Sequence, residues 1–219
     1  MKTAVIAGAT GLVGKQLMFK LLESTSYEKV IILVRTFIHI KHPKLIQVIV
    51  NFESLSAYKD QLKGDDFFCC LGTTMKRAGS KEAFYKVDYS YCLEFARLAS
   101  ENNAQKFLLI SAIGADASSS IYYSKVKGEL ENAIRGLTIS AIHIFHPSVL
   151  VGNRLEFRFG EIIGIAMAKT LSPLMLGSLS KYKPIEVTEL ADSMLKIAQL
   201  PLKEKVTTWN YKQMMSVIS

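Results

Sequence analysis

Residues 3–14 read Thr3-Ala4-Val5-Ile6-Ala7-Gly8-Ala9-Thr10-Gly11-Leu12-Val13-Gly14. An apolar run of strand length passes into a G-x-x-G-x-x-G turn. A helical spacing of Leu12, Leu17, Leu21 and Leu22 follows. Small residues let the backbone turn tightly and approach a pyrophosphate, and the helix start offers unpaired N–H groups and a partial positive charge. Gly14 lets the helix lie close to the strand. Three glycines alone carry little weight, but between a strand and a helix they predict a dinucleotide-binding turn.

The next informative position is the end of the second strand, about 20 residues on, where an acid grips the ribose of NAD and a basic residue accommodates the 2′-phosphate of NADP. Arg35, followed by Thr36, stands there, and no acid occurs from Val30 to Lys44. A guanidinium can give a phosphate two charge-assisted hydrogen bonds. NADP(H) is the predicted cofactor.

Outward from this turn, short apolar runs alternate with helical periods. Strands are expected at Thr3–Ala7, Lys29–Arg35, Leu45–Phe52, Phe67–Leu71, Phe107–Ala112 and Leu137–Phe145. Helices are expected at Gly11–Leu22, Ser80–Ala99 and Ser120–Arg135, with a short one at Glu53–Leu62. The strands are apolar on both faces, as in a parallel sheet covered by helices. The α/β alternation predicts a Rossmann-type doubly wound parallel sheet. One domain, 1–219, is expected, with a dinucleotide-binding core in 1–150 and a small, dependent substrate-side lobe in 151–219. Helices at Phe157–Thr170 and Thr188–Leu200 and short strands at Pro184–Val187 and Lys205–Tyr211 are read there.

Composition excludes several classes. A chain that is 49% hydrophobic and 21% charged is not disordered. Its three cysteines, Cys69, Cys70 and Cys92, are no disulfide framework and read as buried thiols in a reducing compartment. The Ile162–Leu179 stretch is broken by Lys169 and Pro173 and falls short of a membrane span. The apolar run Ala4–Ala7 is too short for a signal peptide, so a cytoplasmic protein is expected. The net charge of +8 invites a nucleic-acid reading. However, the surplus is +3, +2 and +3 over residues 1–66, 67–150 and 151–219, so no basic tail supports one. No metal site is read: His143 and His146 lie three apart on a strand with no further ligand at a suitable spacing.

Tyr123 and Lys127 form Tyr-x-x-x-Lys, one helical turn apart and on one face. A tyrosine, with a reference pKa of about 10, needs a nearby cation to act as an acid at neutral pH. The spacing is expected about once by chance at this composition. Its weight comes from its position after the fifth strand, twelve residues beyond Ser111. That serine ends a strand where an open sheet binds its ligand.

Taken together, Gly8–Gly14, Phe68-Cys69-Cys70-Leu71-Gly72-Thr73-Thr74, Ser111–Asp116, Tyr123–Glu129 and Pro147-Ser148-Val149-Leu150 resemble the atypical short-chain dehydrogenase/reductases. More narrowly, they resemble the HIV Tat-interacting protein family and its bacterial relatives. The resemblance implies that Gly8, Thr10, Gly11, Leu12 and Val13 cradle a pyrophosphate and that Arg35 holds the 2′-phosphate. It puts Asn51 and Phe52 by the adenine and Leu71, Gly72 and Thr73 along the cofactor. Pro147, Leu150 and Arg158 would approach it from the following segment. Lys127 would bind the nicotinamide ribose, Tyr123 would be the acid/base and Ser111 would orient a carbonyl. Three positions depart from the family pattern. His146 precedes Pro147 where many relatives carry Arg, Asn51 replaces a usual Asp, and Asp88 replaces a usual Asn on the fourth helix. The reading is an NADP-dependent oxidoreductase that reduces a carbonyl or similar small molecule. The alternatives are an NADPH-sensing protein that binds a protein partner and an epimerase or isomerase that retains its cofactor. Lys76, Arg77 and Lys81 crowd one loop and could attract an anion. Met167, Met175, Leu176 and Leu179 could line a pocket.

Overall fold

The computed structural model describes residues 1–152 and 182–219. Seven parallel strands form one sheet in the order β3-β2-β1-β4-β5-β6-β9. They are β1 (Lys2–Ala7), β2 (Tyr27–Val34), β3 (Leu45–Ile49), β4 (Asp66–Cys69), β5 (Lys106–Ile110), β6 (Ala141–Phe145) and β9 (Val206–Trp209). A separate pair joins β7 (Leu150–Val151) to β8 (Ile185–Glu186). Strands β4, β5 and β6 are buried at every position because both faces are covered. On one face lie α1 (Leu12–Glu23), α6 (Val187–Gln199) and α7 (Tyr211–Ile218). On the other lie α4 (Tyr91–Glu101), α5 (Tyr122–Arg135) and a 3₁₀ segment, Phe52–Gln61. The fold is the expected doubly wound α/β sheet, and the order reverses between β1 and β4, where such sheets bind ligands.

Three local readings change. The single helix expected over Ser80–Ala99 follows a short α2 (Met75–Ala78) and is α3 (Lys81–Tyr85), a π turn at Lys86–Ser90, and then α4. Residues 187–219, read as part of the lobe, instead extend the sheet: α6 packs on α1, and β9 pairs with β6 from Ile142↔Val206 to Phe145↔Trp209. The apolar face of α6, Leu190, Ala191, Met194 and Ile197, is buried in the core, which places it in the sheet's own layers. Tyr211, read as the end of a strand, begins α7, capped by Asn210 and Gln213. The helix expected at Phe157–Thr170, with Arg158, Met167, Met175, Leu176 and Leu179, lies outside the described residues. All three cysteines are buried and none forms a disulfide.

On β6, His143 Nδ1 accepts from Trp209 Nε1 at 3.2 Å. Burial, with Lys106 adding to it, pulls His143 down to about 4. The folded state therefore takes up this proton less readily than the unfolded chain, and its stability falls as pH drops from about 6.5 to about 4. The shift corresponds to about 3 kcal/mol. Urea unfolding at about pH 7.5 and pH 4.5 should show His143→Phe losing less stability on acidification than the wild type, by up to that amount. Equal losses would show that His143 does not set this pH dependence.

Candidate functional site

The carboxyl ends of the strands bring the predicted residues to one edge. After β1 the chain turns at Gly8 with φ +87°, a region that favours glycine. A Cβ there would sit 2.6 Å from the Cys70 carbonyl carbon, and one on Gly14 would sit 2.2 Å from the Gly8 oxygen. Backbone meets backbone here because no side chain intervenes. Gly11 caps α1 without a side-chain bond, and the first turn holds no acid. The Leu12 and Val13 amides are thus left at a helix start, where a phosphate is favoured. This cradle fits a dinucleotide pyrophosphate. Thr10 is exposed beside it, and Arg35 is exposed directly after β2.

Asn51 and Phe52 follow β3. The Asn51 side chain accepts from Glu53 N at 3.0 Å and caps the 3₁₀ segment, a structural task. Phe52 packs its ring against Tyr91, with centroids 5.4 Å apart. Leu71, Gly72 and Thr73 follow β4, and the Thr73 amide donates to Asp88 Oδ2 at 2.7 Å.

A cavity at the same edge is lined by Thr73, Asp88, Ile110, Ser111, Tyr123, Lys127, Pro147, Ser148 and Leu150. Ser111 comes from the end of β5, while Tyr123 and Lys127 come from the first turns of α5. Gly128 lets α5 press on the preceding loop: a Cβ there would meet Ala117 N at 2.1 Å. The Asp116 amide donates to the Ser124 carbonyl at 3.0 Å, fixing loop and helix together. Phe84 packs on the Tyr123 ring at 5.7 Å.

Asp88 sits in the π turn, buried, with Oδ1 2.7 Å from the buried Lys127 Nζ. The contact is an ion pair rather than a well-angled hydrogen bond. Burial pulls the Lys127 ammonium down. Asp88, with Tyr123 and Cys92 beside it, overrides this and holds the ammonium above the ordinary lysine value. Lys127 is therefore a charged, fixed group next to Tyr123. Single π turns of this kind occur frequently at functional sites.

Glu131 belongs to no motif in the sequence, yet it joins this cluster. Its carboxylate is buried and receives the Ser111 hydroxyl at 2.5 Å, with His146 Nε2 2.7 Å from the same oxygen. Arg135 Nη2 lies 3.5 Å from the other oxygen. The available signal was position: Tyr123, Lys127 and Glu131 repeat every four residues and share one helix face. Arg158 lies outside the described residues.

A family model described as NAD(P)H-binding matches residues 8–136. The rat protein HTATIP2 is 39% identical over 164 residues, 73% of this chain and 67% of that one. The mitochondrial protein FMP52 of Eremothecium gossypii is 31% identical over 218 residues, 98% of this chain and 96% of its own. That of Debaryomyces hansenii is 32% identical over 208 residues, 92% of this chain and 90% of its own. The crystal structure of the Bordetella bronchiseptica enzyme WbmH in complex with NAD+ superposes with TM-score 0.70 over 96% of this chain and 76% of that chain. At 16% identity it speaks for the fold alone. The FMP52 proteins overturn the expected cytoplasmic location: relatives spanning nearly the whole chain are mitochondrial, so the short N-terminal apolar run does not decide the compartment. No described helix is long and apolar enough to cross a membrane. With a parallel Rossmann sheet, a matched family model and these relatives, the chain belongs to the NAD(P)H-binding family, with HTATIP2 and FMP52 among its relatives.

Proposed function

We propose that this protein is an NADP(H)-dependent reductase of a carbonyl or similarly polarised small molecule. The observation that carries this reading is that Ser111, Tyr123 and Lys127 line one cavity at the sheet edge that also holds the glycine turn. Gly8, Thr10, Gly11, Leu12 and Val13 hold the pyrophosphate, and Arg35 takes the 2′-phosphate. Asn51 and Phe52 flank the adenine. Leu71, Gly72, Thr73, Pro147 and Leu150 border the rest, and Lys127 meets the nicotinamide ribose. When bound, NADPH supplies the hydride for the carbonyl carbon.

Tyr123 donates its phenolic proton to the carbonyl oxygen. The Lys127 ammonium stabilises the phenolate left behind, since opposite charges in a buried site interact strongly. Asp88 keeps that ammonium in place. A panel of aldehydes and ketones, followed by NADPH oxidation, tests the reading. Reduction of at least one member, lost in Tyr123→Phe, is the expected result. No oxidation across the panel, together with a protein partner whose affinity depends on NADPH, would favour the partner-binding alternative.

A further inference from the structure

The hydroxyl of Ser111 has one proton to give and two lone pairs to offer. Its proton goes to Glu131 Oε1, a buried acceptor held by His146 Nε2 on the same oxygen and by Arg135 on the other. Arg135 is itself fixed by donating to Thr208 Oγ1 of β9 at 3.2 Å. A carboxylate only accepts, so Ser111 cannot also point its proton into the cavity that it lines.

We propose that Glu131 is a positioning residue that sets the polarity of Ser111, so that the ligand group meeting this serine must be a hydrogen-bond donor. The inference rests on the reductase reading and deepens it. Among carbonyl and alcohol ligands, Ser111 contributes to the alcohol: it receives the hydroxyl of the reduced product, whereas the carbonyl oxygen is met by Tyr123. Ser111 is then a specificity residue for the hydroxyl form rather than the group that orients the ketone. His146 fills the remaining lone-pair direction of the Glu131 oxygen, which keeps that oxygen from swinging into the cavity.

The test uses the NADP⁺-saturated protein and two probes that it cannot turn over there, acetophenone and 2-phenyl-2-propanol, a tertiary alcohol with no carbinol hydrogen. Dissociation constants are measured for the wild type, Ser111→Ala, Glu131→Met and Glu131→Gln. Ser111→Ala should weaken the alcohol about tenfold and leave the ketone within about twofold. Glu131→Met frees the serine proton and should change the ratio, with the ketone gaining about tenfold and the alcohol, which can still donate to the serine oxygen, staying within about twofold. Glu131→Gln keeps an acceptor oxygen and should retain the wild-type ratio. An equal loss of both probes in Ser111→Ala, or an unchanged ratio in a folded Glu131→Met, would overturn the inference alone. Failure of the wild type to reduce any member of the carbonyl panel would instead contradict the reductase reading on which it rests. The serine variant decides the matter even if Glu131→Met does not fold.

Discussion

Tyr123→Phe should cut carbonyl reduction roughly 10²–10⁴-fold, the range for loss of a positioned general acid, and leave the NADPH dissociation constant within about twofold. The substitution removes one oxygen. It keeps the ring that Phe84 packs against, so the start of α5 should keep its place. The Lys127–Asp88 pair is also left in position, because Asp88 and not Tyr123 is the partner at 2.7 Å. Activity should be lost in kcat, while KM moves little, since the proton is needed only as the oxygen gains charge. Steady-state kinetics on the reduced panel member, beside a fluorescence titration with NADPH, reads both quantities. Retained turnover would remove Tyr123 as the acid. A parallel loss of NADPH binding would show that the ring, not the hydroxyl, was at stake.

The second large effect is expected at the turn. Gly14→Ala would drive a methyl to 2.2 Å from the Gly8 oxygen and 2.8 Å from the Gly8 carbonyl carbon. Both are backbone atoms in the strand-to-helix turn, so the turn itself must shift and its amides leave their common aim. NADPH affinity should fall on the order of 100-fold, the scale of a few kcal/mol of overpacking. Gly11→Ala is the graded comparison: its methyl would approach the same oxygen only to 3.3 Å, an overlap that a small adjustment relieves. It should lose far less affinity. Titration of both variants, each checked for folding by circular dichroism, orders the effects. Equal, small losses would mean that the cradle does not hold the nucleotide.

The α/β architecture was legible because its signals are local. Runs such as Phe67–Leu71 and Phe107–Ala112 are apolar at every position, and the glycine turn sits between a strand and a helix. That Ser111, Tyr123 and Lys127 come together at one cavity is legible from their spacing after the fifth strand. What escaped depends on distant partners. The π turn at Lys86–Ser90 keeps a helical hydrophobic pattern, so periodicity runs straight through it, yet it aims Asp88 at Lys127, 39 positions along the chain. Glu131 resembles any surface glutamate until the end of β5 brings Ser111 against it and His146 approaches from the end of β6. Val206–Trp209 is legible as a short strand, but its pairing with β6 is a long-range contact that no local pattern in residues 151–219 reveals. The family resemblance puts Asn51 beside an adenine. The structure also gives its side chain to the cap of the 3₁₀ segment, a use that a single residue type does not reveal.

The identity of the nucleotide decides most of the chemistry proposed for this site. Arg35 stands exposed where β2 ends, and no acid lies between Val30 and Lys44. The direct measurement is the pair of dissociation constants for NADPH and NADH, in the wild type and in Arg35→Asp. The wild type should bind NADPH at least about tenfold more tightly, the worth of a charge-assisted bond to the 2′-phosphate, and Arg35→Asp should reverse the order. NADH bound as tightly as NADPH by the wild type, or a preference unmoved by Arg35→Asp, would contradict it.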